Sequence, residues 1–480
     1  MASSQLDPIR RSELGQFMTP SAIAAFMASL FERWPSEVRL LDPGAGIGSL
    51  TDAFVNRYLE QTDRGSAFHV SAFEIDPVLT RYLADHLREV EVRVRAANRS
   101  VATALSTRDF IEDATFALSF GGSHYTHAIL NPPYKKIGAH SSHRKALREI
   151  GIETGNLYAA FLALAVALVE DEGEIVAIVP RSFCNGAYFR PFRSWLLERA
   201  SISHIHIFES RKKAFSDDGV LQENIIVRLI KGGTQAEVTV TTSHDASFEN
   251  FHERSVPFSS IVKSADPEQF IHIPTGDGDQ SHPLFAHSLA ELGLNVSTGP
   301  VVDFRVRDHW LSEPENGSVP LLYAHHFRGG VFHWPRQHKK PNALKLNGET
   351  RKWLLPKGWY ALTKRFSSKE EKRRVVAHVV GPRDLDAEFF GFENHLNVIH
   401  ASKQGLDEHI ARGIALFLNS TLVDQHFRTF SGHTQVNATD LKTMRFPDLN
   451  TLMHFGAWAE RQDTLTQDAI DRFIESYGQQ

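Results

Sequence analysis

An α/β fold is predicted for the amino-terminal half of this chain, on three observations. Apolar runs alternate with helical patterns over roughly the first 230 residues, one of those runs passes into a glycine-rich turn and then a helix, and another stops at Asn131-Pro132-Pro133-Tyr134. Strands alternating with helices build a mainly parallel sheet, and such a sheet binds its ligand outside the carboxyl ends of its strands.

The first strand is Val38-Arg39-Leu40-Leu41. It runs into Asp42-Pro43-Gly44-Ala45-Gly46-Ile47-Gly48, and Thr51 to Leu59 continues in a helical pattern. Gly44 and Gly46 permit positive φ and let a ligand approach the backbone, while amides at the helix start favour electron-rich groups. The spacing departs from the dinucleotide fingerprint G-x-G-x-x-G, because the third glycine comes at once. A second strand, Ala67 to Phe73, ends in Glu74-Ile75-Asp76. A carboxylate roughly 20 to 30 residues past the turn can take both ribose hydroxyls of a nucleoside. The alternative is that Glu74 only starts a helix.

The run His127-Ala128-Ile129-Leu130 reads as a further parallel strand, and Asn131 to Tyr134 as the loop at its mouth. Two consecutive prolines fix φ and remove two backbone donors, so the loop is stiff and the Pro132 carbonyl is presented as an acceptor. Asn131 adds a side-chain carbonyl beside it. Two converging acceptors next to the Tyr134 ring suit a planar ring that carries an exocyclic amine. The alternative is a proline-stiffened turn whose tyrosine packs in the core.

Together these motifs resemble the adenine-N6 DNA methyltransferases that use S-adenosylmethionine. Their order resembles the gamma arrangement of the TaqI-like and PstI/BsuBI-type modification enzymes. The resemblance implies a Rossmann-like methyltransferase domain followed by a mixed α+β target-recognition domain. It implies that Gly15-Gln16-Phe17-Met18-Thr19-Pro20 contacts the cofactor's methionine end, with Gln16, Phe17, Thr19 and Pro20 as the residues concerned. Asp42, Gly44, Gly46, Gly48 and Glu74 would complete that side of the site. Asp109-Phe110 would recognise the cofactor's adenine, with Asp113 as a nearby competitor. Gly155-Asn156-Leu157-Tyr158 and the strand Glu174 to Pro180 match later elements of the same sheet. Asn131, Pro132, Pro133 and Tyr134 would act on the target adenine, flipped from the duplex, with Phe215 as a second aromatic wall. The motif matches span roughly the first 230 residues.

Composition fits such an enzyme. The chain has 480 residues and 42% hydrophobic content, enough for two domains with real cores. Its single cysteine, Cys184, excludes a disulfide framework and any cysteine-held zinc, and suits a reducing cytoplasm. No metal is expected. Cys184 also lies fifty residues beyond the loop in which a cytosine-C5 methyltransferase carries its nucleophilic thiol. Met1 to Leu14 is polar and charged, unlike a secretory signal, and the apolar run Leu157 to Val169, 13 residues long, reads as a buried helix too short for a bilayer.

The net charge of −5 does not advertise nucleic acid, but its distribution does. Arg328 to Arg374 holds 14 Lys/Arg against Glu349, Glu370 and Glu371, a local +11 that leaves −16 for the rest. Phe332, Trp334, Trp353, Trp359, Tyr360 and Phe366 are interleaved with those charges. A basic stretch with aromatics is the footprint of a DNA-facing surface, and Arg336, Lys339, Lys340, Lys372 and Arg373 are its candidate contacts. The alternative is a solvated basic face whose tryptophans belong to the core. His433, Thr434 and Gln435 carry groups able to read base edges or hold phosphates. Asn437 with Asp440 reads as a capping box.

The texture changes near Gly232-Gly233, so the expected division is a methyltransferase domain, 1–232, and a target-recognition domain, 233–480. The partner expected is double-stranded DNA, met by a monomer, with a cognate restriction endonuclease in the same system. An RNA base or a protein glutamine is the competing acceptor. A non-catalytic specificity subunit is the competing class, and the intact Asn131 to Tyr134 argues against it.

Overall fold

The computed structural model describes residues 19–122, 125–208, 223–264, 266–274, 282–328, 331–367, 371–431 and 435–478. The chain forms two compact units, Met1–Thr275 and Gly276–Gln480.

The first unit is built on a nine-stranded sheet of order β3-β2-β1-β4-β5-β7-β6-β8-β9. Its strands are β1 (Glu37–Pro43), β2 (Ala67–Phe73), β3 (Ser100–Ser106), β4 (Tyr125–Leu130), β5 (Val169–Pro180), β6 (Ala200–Phe208), β7 (Asn224–Lys231), β8 (Val238–Ser243) and β9 (His252–Val256). β1 to β5 run parallel, and β7 enters antiparallel between β5 and β6. The strand order reverses between β1 and β4, the switch point at which this class of sheet opens a crevice.

Helices cover both faces, and the alternation of side chains along each strand decides which core a residue joins. Leu40, Ile129, Val176 and Ile178 point to the face packed by α1 (Ser21–Ser29), α2 (Ser49–Gln61) and α3 (Pro77–Ala96), among Met27, Phe54, Tyr58 and Leu83. Their neighbours Leu41, Ala128, Leu130, Ala177 and Val179 point to the other face. There they meet Phe110 and Ile111 of α4 (Phe110–Ser119), Phe161 and Leu162 of α6 (Leu157–Leu168) and Phe192 of α7 (Arg190–Leu197). α6 is apolar all round because it is buried almost all round.

Local chemistry fixes where the helices begin. Asp76 caps α3 by accepting from the amides of Val78 (2.8 Å) and Leu79 (3.3 Å), with Pro77 in the first turn. Ser141 caps α5 (Ser142–Glu149), its hydroxyl accepting from the Arg144 amide at 3.3 Å. α1 is tied at both ends: Thr19, just before it, meets β4's mouth, and the Glu32 and Arg33 amides after it donate to buried Glu174 at 3.0 Å each. Arg228 neutralises Glu174 from β7.

The double glycine read as a domain boundary is a turn inside this unit. Gly232, at φ 66°, lets the chain leave β7 and return as β8 beside β6. What ends at 232 is the strand–helix alternation, while the sheet runs on to Val256. The division by contacts therefore falls after Thr275.

The second unit is mixed. It holds a four-stranded sheet between Asn295 and His400, a five-stranded sheet between Trp310 and Phe392, a small hairpin at Phe327–Phe332, and five carboxyl-terminal helices. These are α8 (Glu408–Leu418), α9 (Thr421–Phe430), α10 (Ala438–Thr443), α11 (Leu449–Glu460) and α12 (Gln467–Gly478). Asn437 is the amino-terminal cap of α10, and the Asp440 carboxylate accepts its amide at 2.8 Å, as the capping-box reading expects. No helix among the described residues is long and apolar enough to cross a membrane.

α8 and α11 cross at a pair of glycines. A Cβ on Gly413 would lie 1.9 Å from the Leu452 carbonyl oxygen, and one on Gly456 1.9 Å from that of His409. Gly413→Ala is therefore expected to destabilise the second unit by about 1 to 3 kcal/mol, the cost of overpacking a tight contact. Thermal denaturation of the variant beside wild type checks this, and an unchanged midpoint would mean that the helices separate freely.

Candidate active site

The carboxyl tips of β1, β2 and β4 meet at one edge of the first sheet. After β1 the backbone turns through Gly44 (φ 78°), Gly46 (φ 60°) and Gly48 (φ 93°), all in the left-handed region. The Gly44 and Ala45 amides both donate to the Phe73 carbonyl at 2.9 Å, which ties this turn to the end of β2. Gly48 has a second reason to be glycine: a Cβ there would lie 2.6 Å from His86 Cδ2. At Gly44 a Cβ would meet Phe161 Cε1 at 3.7 Å and the Asn131 carbonyl oxygen at 4.0 Å, so the glycine turn and the Asn-Pro-Pro-Tyr loop face each other.

Two buried carboxylates line the turn. Glu74 accepts the Gly46 amide on Oε2 at 2.9 Å and the Asp76 amide on Oε1 at 2.8 Å. It thus braces the turn and starts α3, and burial holds its carboxyl above the ordinary value. Asp42 is fully buried, with Oδ2 accepting from the Thr51 hydroxyl at 2.6 Å and Oδ1 without a partner. Burial pushes its carboxyl up to about 7.

Asn131 directly follows β4 and is held from two sides. Its amide nitrogen donates to Thr19 Oγ1 at 3.0 Å, and its Oδ1 accepts from the Tyr134 hydroxyl at 3.1 Å. That hydroxyl also lies 3.3 Å from the Ile178 carbonyl, and the ring stands edge-on to Tyr158 at 6.2 Å. Tyr134 is half-buried and packs against the core on this face of the sheet, as the alternative reading expects. Pro132 is buried and Pro133 half-buried. The loop beyond is pinned to the start of α6, Ile137 donating to the Gly155 carbonyl and Leu157 to the Lys135 carbonyl, each at 2.8 Å.

Asp109 and Phe110 lie at the start of α4. Asp109 Oδ1 caps that helix, accepting from Ile111 (2.9 Å) and Glu112 (3.2 Å), and Oδ2 lies 3.2 Å from His143 Nε2. Phe110 is buried between Phe73 and Phe161. Asp113 pairs with Arg108 at 2.8 Å. Gln16, Phe17 and Phe215 lie outside the described residues.

Three features of the site escape sequence reasoning. Thr19, read as a cofactor contact, is the partner of Asn131. Ile75, beside Glu74, is half exposed at the mouth although apolar. Phe161, on a helix that reads as pure core, lies under the glycine turn. Only Ile75 carries a signal, as an apolar residue between two helix-starting acids.

A model of the Eco57I restriction-modification methylase family matches residues 82–215. The Type II methyltransferase M.BsuBI of Bacillus subtilis is 48% identical over 477 residues, covering 97% of this chain and 94% of the relative. This chain belongs to the Type II methyltransferases. M.PstI of Providencia stuartii is 44% identical over 99% of this chain and 95% of its own length. In the solved DrdV–DNA complex, a chain shares the fold at a TM-score of 0.54 and 13% identity, over 95% of this chain and 58% of that one.

A Type II methyltransferase takes its methyl group from S-adenosylmethionine and acts on DNA, and the site fits that cofactor. At Gly44 the turn leaves room beside the backbone, since a Cβ there would meet only Phe161 and the Asn131 carbonyl at ordinary contact distance. The unpartnered Asp42 Oδ1 is an acceptor suited to an ammonium group. Glu74 is a buried carboxylate held by amides at the same turn, a group of the kind that accepts from ribose hydroxyls.

The basic segment is less open than its composition implies. Lys340 is bound to Asp303, Arg336 is half-buried and donates to the His325 carbonyl at 2.6 Å, and Arg373 is half-buried and donates to the Thr421 hydroxyl at 2.9 Å. Gln435 accepts from Arg365 at 3.3 Å. Trp334 is half-buried and donates to the Asn342 carbonyl at 2.8 Å. Lys339 and Lys372 are exposed, and His433 and Thr434 lie outside the described residues. Much of the local +11 is therefore spent on internal contacts, because a small unit of short strands uses long cationic side chains to satisfy loop carbonyls and buried acids.

Asp42 gives a pH signature. Its folded value, about 7, stands above its ordinary 3.8, so the folded chain keeps a proton that the unfolded chain releases. Stability from this group is lost as pH rises through that window. Asp42→Asn should gain on wild type by more than about 1.4 kcal/mol between pH values near 5 and near 8, one pKa unit's worth. Paired denaturation curves at the two pH values measure it, and a constant difference would mean that Asp42 titrates normally.

Proposed function

We propose that this chain methylates the N6 amine of an adenine flipped out of duplex DNA, as the modification enzyme of a restriction–modification pair. The observation that carries the reading is the Asn131 carboxamide, fixed between Thr19 and Tyr134 at the mouth of β4, in a residue whose backbone carbonyl faces the glycine turn.

The cofactor supplies a sulfonium-activated methyl group. The protein's task is then to place a nucleophile in line and exclude water. An adenine amine is a poor nucleophile because its lone pair is delocalised into the ring. Hydrogen bonds from that amine to Asn131 Oδ1 and the Pro132 carbonyl favour pyramidalisation and stabilise the positive charge that develops on nitrogen. The Thr19 and Tyr134 contacts hold the carboxamide so that its oxygen, not its nitrogen, meets the amine. The base cannot be reached inside a duplex and must leave the stack. Stacking on Tyr134 offsets part of that cost, each such contact being worth roughly 1 to 3 kcal/mol. Phe215 is the proposed opposite wall, Glu74 the ribose ligand, Asp109 and Phe110 the contacts to the cofactor's adenine, and Gln16, Phe17 and Pro20 those to its methionine end.

Methylation at a ring carbon finds no support in the site. That chemistry needs a thiolate nucleophile, and Cys184 is fully buried, with its thiol pushed up to about 12 by burial. That leaves an exocyclic amine as the acceptor. Target recognition is assigned to Gly276–Gln480, with Lys339 and Lys372 as its proposed backbone contacts. The chain is proposed to act as a monomer, one strand at a time, and an endonuclease of the same specificity is its proposed counterpart.

Asn131→Ala tests the assignment. Single-turnover methyl transfer should fall at least about 100-fold, the scale of losing one preorganised transition-state hydrogen bond. Cofactor affinity by calorimetry should stay within about twofold of wild type, since Asn131 is assigned to the base. An active variant would remove Asn131 from the chemistry.

A further inference from the structure

Most of the cationic side chains predicted to meet DNA turn inward, yet the mouth of the first unit carries a cationic surface of its own. Directly after Tyr134 the chain reads Lys135-Lys136, and residues 135–153 hold five Lys/Arg against Glu149 and Glu153. The five cations divide into two groups. Arg144 and Arg148 both bind Glu153, Arg148 Nε at 2.6 Å, and so dock α5 against the loop before α6. Lys135, Lys136 and Lys145 are exposed, and among the described residues no carboxylate lies within ion-pair distance of their ammonium groups.

These three lysines stand on a rigid base. The Lys135 carbonyl accepts from Leu157, Ile137 donates to Gly155, and Lys136 bridges Asn156. Ser141 caps α5, and His143 on that helix lies 3.2 Å from Asp109 at the start of α4. Lys145 borders an open hollow lined by Ala139, His140, Ser141, Arg148 and Glu149. Lys135 and Lys136 therefore follow Asn131 on the segment that leaves the carboxyl end of β4, and the helix that carries Lys145 is tied through His143 to the start of α4.

We infer that Lys135, Lys136 and Lys145 form a phosphate-binding ridge that grips the DNA backbone beside the flipped nucleotide. The inference rests on duplex DNA being the substrate and is independent of which base is methylated. Lysine is a compact point charge on a flexible stem, suited to phosphate oxygens whose positions shift as a base leaves the stack. Contacts of this kind position the duplex without reading its sequence.

The test is duplex binding by the full chain, followed by fluorescence anisotropy over a range of salt, with an unmethylated fragment as probe. Each phosphate neutralised contributes roughly 0.9 to the slope of log K against log salt. Lys135→Ala, Lys136→Ala and Lys145→Ala together should therefore lower the slope by about 2 to 3 and weaken cognate and unrelated duplexes alike. The matching Arg64→Ala, Arg88→Ala, Arg95→Ala variant removes the same charge from the loop before β2 and from the exposed surface of α3, and should leave the slope unchanged. Thermal denaturation and cofactor binding confirm that both variants are folded. An unchanged slope in the lysine variant, or an equal fall in the arginine variant, overturns the ridge. If wild type itself fails to bind duplex, the DNA reading falls instead, and the two failures are distinct.

Discussion

The pairing of β1 with β4 is the constraint on which the rest of the site depends. Leu40 lies opposite His127 and Leu41 opposite Ala128 in parallel register, so the two strands end side by side. One continues into the glycine turn and the other into Asn131. A slip of one residue would invert which side chains of β4 face each core, and both cores are filled at this point by Ile129 on one face and Leu130 on the other. Packing on both faces thus enforces a register whose functional result is that the Asn131 carbonyl faces Gly44.

Around this junction, polar groups are held by other polar groups rather than by solvent. Glu74 is braced by two amides, Asn131 by a threonine and a tyrosine, and Asp109 by its own helix and His143. The arrangement is costly to bury and cheap to use, since nothing need reorganise when a ligand arrives. α1 shows the same economy on a larger scale: one end positions Thr19 for Asn131, and the other is anchored at the opposite edge of the sheet by Glu174 and Arg228.

The parts of this architecture that sequence reveals are those with a local cause. The β1 turn is legible because three positive-φ positions call for glycine, the β4 loop because two prolines are rare at a strand's end, and α10 because its cap and the acid three residues on are adjacent in the chain. Contacts made across the fold are not legible. Thr19 finds Asn131 over more than a hundred residues, and nothing in either neighbourhood announces it. The domain boundary was misplaced for a related reason: Gly232-Gly233 has the composition of a linker, but β8 pairs with β6 at a distance that composition does not encode. The basic segment misled through its charge count, since a lysine bound to a buried aspartate and one in solvent read alike. Of the five carboxyl-terminal helices α10 alone announces its start in this way, and α12 is largely polar.

In the proposed reaction the Asn131 carboxamide presents an adenine amine for methylation. The most direct measurement is transfer of a labelled methyl from S-adenosylmethionine to unmethylated duplex DNA, followed by digestion to nucleosides and chromatography. The label is expected in N6-methyldeoxyadenosine. Label in a methylated cytosine, or none in DNA while the protein still binds the cofactor, would contradict it.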